Sequence, residues 1–131
     1  MRKSQWGVVV AVSASAVLVG GCQTWGPTWS ELTGVRYTAA ALDRRPALLV
    51  QVGDHSVGRE DPYKVAPGKY EVVVQAPPHG RFRGFTKTMN LVVEPCHRYY
   101  INAQFEGHTG PAWQPVIDYV EPIAGCRVPS G

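Results

Sequence analysis

No stretch of this 131-residue chain is apolar for long enough to cross a bilayer as a helix, which takes about 20 residues. The longest uncharged, mostly apolar run, Gly7 to Val19, covers about 13 residues and suits the core of a cleavable signal better. Cysteine is scarce: Cys22, Cys96 and Cys126 are the only three. A long amphipathic helical pattern is missing as well. So are the usual signatures of chemistry. Ser30, Ser56 and Ser130 stand outside any G-x-S-x-G context. The histidines His55, His79, His97 and His108 all fall in expected turns or loops, where a surface position is the default. They show no H-x-H or H-x-x-x-H spacing, and Cys96-His97 alone makes a poor metal motif. Asp118 and Glu121 lie three apart on an expected strand and its end, which sends them to opposite faces. No enzyme, metal site or cofactor is therefore expected.

What is present begins at the N-terminus. Arg2 and Lys3 precede the apolar run, which ends in Leu18-Val19-Gly20-Gly21-Cys22. Small residues directly before a cysteine, at the end of a signal-type segment, form the pattern of a bacterial lipoprotein signal. Val19 stands where the usual lipobox has leucine. The pattern implies cleavage before Cys22, so that residues 1–21 are a signal peptide and 110 residues remain. The Cys22 sulfur then carries lipid, and three acyl chains exceed the roughly two lipid signals that stable anchoring requires. Gln23, not aspartate, follows. By resemblance to the sorting rule of Gram-negative lipoproteins, that implies the periplasmic face of the outer membrane.

Without Arg2 and Lys3, 11 basic residues face 10 acidic ones. That balance is too even to argue for nucleic acid or an acidic polymer as partner. Residues 22–32 are expected to form a short lipidated tether, with the domain proper at 33–131. At 3.3–3.6 Å per residue, such a tether keeps the domain close to the bilayer. Trp25 and Trp29 have two open readings, the headgroup level or a cap on the domain core.

From Thr33 onward the pattern is β. Gly34 to Thr38 reads as a first strand, running on toward Ala41 unless Tyr37–Asp43 forms a helical turn. Asp43-Arg44-Arg45-Pro46 reads as a break. Ala47 to Val52 forms a second strand, Gly53-Asp54-His55 turns the chain, and Pro67-Gly68 fits the centre of a type II turn. Three clean alternations follow, around Tyr70–Gln75, Thr88–Glu94 and Arg98–Phe105, with a last strand from Trp113 to Val120. Repeated period-two patterning between turn residues predicts an all-β fold, an antiparallel β-sandwich of about 6–8 strands with immunoglobulin or transthyretin-like character. With Cys22 spent on lipid, Cys96 and Cys126 form an even pair in an oxidising compartment and are expected to bridge. The bridge would pin the C-terminal tail to a strand end.

The half from Pro67 to Cys126 also resembles small proteobacterial lipoproteins and exported proteins of unassigned activity. Ala66-Pro67-Gly68, Val93-Glu94-Pro95-Cys96-His97-Arg98-Tyr99-Tyr100-Ile101, Trp113-Gln114-Pro115-Val116-Ile117-Asp118 and Glu121-Pro122-Ile123-Ala124-Gly125-Cys126 carry the likeness. The Pro67-Gly68 turn and the strands after it look like PEGA and transthyretin-like modules. The resemblance implies a structural family and brings no catalytic residues with it.

Two segments invite a function. The segment Ala76–Phe85 joins two strands and is longer than the common hairpin connection. Its Arg81, Phe82, Arg83 and Phe85 suit partner anchoring or an anionic headgroup. The alternative is that Phe82 or Phe85 folds back over the open end of the sandwich and the arginines are merely solvated. The second is the row Arg98, Tyr100, Asn102 and Gln104, read as an outward sheet face that is solvated or takes a glycan or peptide strand. Together these features imply a non-enzymatic, lipid-anchored binding or structural module of the cell envelope. The alternative role is a subunit of a larger envelope assembly, docking by a sheet edge or the 76–85 loop.

Overall fold

The computed structural model describes residues 26–37 and 41–128. The expected signal, Cys22 and Trp25 lie outside the described residues. Nine strands and no helix are found among those described: β1 (Ser30–Thr33), β2 (Arg44–Pro46), β3 (Leu48–Val52), β4 (His55–Ser56), β5 (Tyr63–Val65), β6 (Gly68–Gln75), β7 (Thr86–Val93), β8 (His97–Phe105) and β9 (Trp113–Pro122).

They form two sheets. The first is built on β8, which pairs with β9 from His97↔Pro122 to Phe105↔Trp113. The other edge of β8 is shared: β1 lies parallel to Arg98–Tyr100, and β2 lies antiparallel to Asn102–Gln104. β5 adds to the free side of β1. The second sheet is antiparallel throughout, in the order β4-β3-β6-β7. Leu49, Val52, Val72, Val74, Leu91 and Val93 of this sheet meet Leu32, Tyr99, Ile101, Ala103, Phe105 and Trp113 of the other in one buried core. Each large apolar side chain fully removed from water contributes roughly 1.5–3 kcal/mol. The alternation along β6 and β8 thus selects the faces that meet.

The first strand is not where its apolar residues suggest. Gly34–Tyr37 is irregular, and the strand is Ser30–Thr33, of which Ser30, Glu31 and Leu32 fall in the range expected to be tether. All four residues are buried, and the polar ones are matched. The Ser30 hydroxyl donates to the Glu94 carbonyl, Glu31 pairs with Arg98, and the Thr33 hydroxyl donates to the Asp61 carboxylate. Satisfied polar groups make an unpatterned segment buriable. Gly34 then passes against Ala47, whose N–H donates to the Gly34 carbonyl at 3.1 Å. A Cβ there would stand 1.7 Å from the Ala47 oxygen.

Arg44–Pro46, read as a break, is an edge strand in which proline is tolerated. β4 and β5, of two and three residues, are too short to carry a period, so the count is nine. The turn at Gly53-Asp54 closes the β3–β4 hairpin with Gly53 at φ +56°. Gly68 stands at φ +155°, more extended than the roughly +80° of a type II turn.

In β9 the register slips between Tyr100 and Ile101: Tyr119 opposes the former and Ile117 the latter, leaving Asp118 as an extra residue. Such a bulge reverses the alternation. Asp118 and Glu121, expected on opposite faces, consequently both meet arginines on the outer face of the first sheet.

Candidate functional site

The functional candidates fall at the two ends of the sandwich and on the outer face of the first sheet. At one end Cys96 and Cys126 are joined by a disulfide with 5.4 Å between their Cα atoms. It closes a span of 30 residues, for which chain entropy gives roughly 3–4 kcal/mol. The same end holds the chain's entry into the domain. The Cys96 N–H donates to the Trp29 carbonyl at 3.1 Å, and the Arg127 N–H donates to the Pro27 carbonyl at 2.8 Å. The Trp29 indole N–H donates to Glu31 at 3.3 Å, and the Lys64 ammonium stands 5.3 Å from the ring centre. Trp29 is half-buried at this end.

The loop 76–85 lies at the opposite end, since β6 leads away from Gly68, beside Val93, to Gln75. The loop has its own structure. His79 and Phe82 exchange two backbone hydrogen bonds of 3.0 Å each, and the Ala76 N–H donates to the Phe85 carbonyl at 3.1 Å. Gly84 presses on Ala76 so closely that a Cβ would stand 1.5 Å from its carbonyl oxygen. His79, expected at the surface, is buried. Its ring stacks on Phe105 with centroids 4.0 Å apart, and Nε2 lies 3.0 Å from the Gly107 carbonyl. His79 thus folds back over the open end, and Phe82 and Phe85 line a small pocket with it, Phe105 and Trp113. Phe82 and Phe85 are 39% and 60% exposed, with Arg81 and Arg83 exposed beside them.

The row Arg98, Tyr100, Asn102 and Gln104 is not a plain solvent face. Asn102 is fully buried and donates Nδ2–H to the Val35 carbonyl at 3.1 Å, while its Oδ1 has no partner. Arg98 bridges Glu31 at 2.6 Å and Glu121 at 2.7 Å, and the Tyr100 hydroxyl donates to Glu121 at 2.6 Å. Hydrogen bonds from Tyr100 and Arg98 hold the Glu121 carboxyl below its usual range. The bond to Glu121 pushes the Tyr100 phenol upward. Tyr37 stacks on Tyr119 at 4.0 Å between centroids, and both lie beside Tyr100. Arg44 donates to Gln104 at 2.8 Å and to Asp118, whose side chain is fully buried, at 2.5 Å. Charges here neutralise one another within the face. The arrangement binds sheet, bulge and the segment around Val35 together.

A further cavity of about 660 Å³ is lined by His55, Arg59, Glu60, Asp61, Tyr63 and Lys64 among others. Its Asp61 carboxylate already accepts from the Thr33 hydroxyl and the Gly34 N–H. Among the described residues, no three His, Cys, Asp or Glu side chains converge as metal ligands. The burial of His79 and the Asp118 bulge were beyond sequence reasoning. The sole signal for the first was a histidine amid prolines and glycines, which reads equally as solvated loop. No protein-family model, no curated protein and no solved structure matches the chain.

Proposed function

We propose that the chain is a non-enzymatic, lipid-anchored β-sandwich of the transthyretin-like or PEGA-like kind, serving as a binding or structural module of the cell envelope. In this reading Cys22 carries the lipid, and the domain sits at the periplasmic face of a Gram-negative outer membrane. The observation that supports it is the polarity of the molecule. Chain entry, C-terminal tail and disulfide meet at one end, and the structured arginine–phenylalanine loop occupies the other. An anchor at Cys22 stands only eight residues before β1, so it would hold the pinned end toward the bilayer.

A second reading, subunit of a larger envelope assembly, draws support from the edge of β7. Among the described residues this eight-residue strand pairs with β6 alone, and it contains no proline, so alternate N–H and C=O groups turn outward. The primary reading is tested by labelling cells with palmitate. Label on the native protein, with a Cys22→Ser variant unlabelled and released from the membrane fraction, supports it. A Cys22→Ser variant that fractionates unchanged rejects it.

A further inference from the structure

The 76–85 loop is held too firmly, and shows too much apolar surface, for a solvated connection. Its seat is His79 on Phe105 and the closed turn from His79 to Phe82, and the two phenylalanines, which edge a small pocket beside Phe105 and Trp113, keep 39% and 60% of their surface exposed. Beside it Leu48, 57% exposed, pairs with Gln75 where the loop leaves β6, so three large apolar side chains share this end. Neither Arg81 nor Arg83 has a carboxylate partner among the described residues. Of the acidic groups on the segments around Phe105, Asp43 lies 2.6 Å from His108 and Glu106 is exposed.

We propose that this end is a preformed docking site for an acidic protein segment that also carries an apolar side chain. The inference rests on the binding-module reading above and names its partner's chemistry. Planar guanidinium groups donate to carboxylates in bidentate fashion. Phe82, Phe85 and Leu48 supply apolar area that a partner removes from water at roughly 25 cal/mol per Å². Because the backbone is already fixed, little ordering cost is left for binding. A protein segment is favoured over the bilayer by position. The nine residues of β8, roughly 3.3 Å each, separate this end from the chain's entry. A lipid at Cys22 therefore holds the loop at the end turned from its own leaflet.

The test selects a random peptide library on the whole chain in neutral detergent, then measures one enriched peptide by fluorescence anisotropy. The expected result is a consensus rich in Asp and Glu around an aromatic or aliphatic residue, with affinity that falls as salt rises. R81S/R83S and F82S/F85S should each weaken it about tenfold or more, with thermal unfolding unchanged because all four side chains are exposed. An enriched peptide without acidic bias, or one that binds R81S/R83S undiminished, overturns the loop as the site while leaving a binding module. No enrichment on any surface, with no sedimentation on phosphatidylglycerol vesicles either, overturns both. Sedimentation with phosphatidylglycerol vesicles through the same four side chains, with no peptide enriched, overturns the protein partner in favour of lipid. Acylation of Cys22 does not enter these readouts, so the anchor stands or falls separately.

Discussion

The backbone N–H of Trp29 donates to the Cys126 sulfur at 3.3 Å, although the two residues are 97 apart in sequence. Through Cys126 the disulfide therefore secures the entering segment as well as the tail it covalently holds. A pull at the N-terminus, the direction a lipid anchor would exert, reaches β1 only after passing the contacts at Pro27 and Trp29.

Replacing both Cys96 and Cys126 by alanine should lower the unfolding free energy by about 3 kcal/mol. Urea denaturation reads this as a lower midpoint. Hydrogen exchange should quicken first at Cys96 and Arg127, whose N–H groups bond Trp29 and Pro27. Uniform exchange across the domain would show that the bridge does not act on the entry.

His79→Ala removes the ring stacked on Phe105 and should cost about 2 kcal/mol. Phe82→Ser and Phe85→Ser, at exposed positions, should each stay within about 0.5 kcal/mol of the parent. Equal losses at the three positions would contradict the assignment of His79 as the loop's seat.

Gly34→Ala should be among the most damaging single methyl additions in the chain, since its Cβ would stand 1.7 Å from the Ala47 oxygen. Gly107→Ala, where nothing lies within 4 Å, serves as the control and should melt near the parent temperature. The comparison needs only thermal unfolding followed by circular dichroism.

Arg44→Ala removes the charged hydrogen bond that Arg44 gives the fully buried Asp118 side chain and should cost about 1–3 kcal/mol. Adding Asp118→Asn to the same variant should recover part of the loss. Full additivity of the two substitutions would deny the coupling.

Stability should also decline toward both extremes of pH through the outer face. Glu121 has its folded pKa depressed, so its contribution is complete above the ordinary glutamate range and is lost as pH falls through the folded value. Tyr100 is shifted upward, so its contribution is complete below pH 10.0 and is lost as pH rises through the folded value. Glu121→Gln should flatten the acid limb, and Tyr100→Phe the alkaline limb. Unaltered limbs in urea melts across pH would contradict the sign of either shift.

Much of the architecture was legible because the segments that become β6, β7 and β8 carry period-two patterning between turn residues. The disulfide pair was legible from cysteine counting. β1 was not: Ser30, Glu31 and Thr33 are buried by virtue of partners 28 to 67 residues away, which no local period encodes. The Asp118 bulge was hidden for a related reason. An inserted residue changes which face a carboxylate occupies, and only the register with β8 reveals it. In the candidate loop, composition correctly drew attention to Arg81–Phe85, but it could not tell which aromatic ring serves the core. That is decided by the contact between His79 and Phe105 across 26 positions of chain.

The lipid anchor is tested most directly by the intact mass of the protein extracted from membranes with detergent. The expected species is a chain starting at Cys22 whose excess mass equals a diacylglyceryl group plus one amide-linked acyl chain, with Cys96 and Cys126 oxidised. A chain of unmodified mass, or one starting at any other residue, would contradict it.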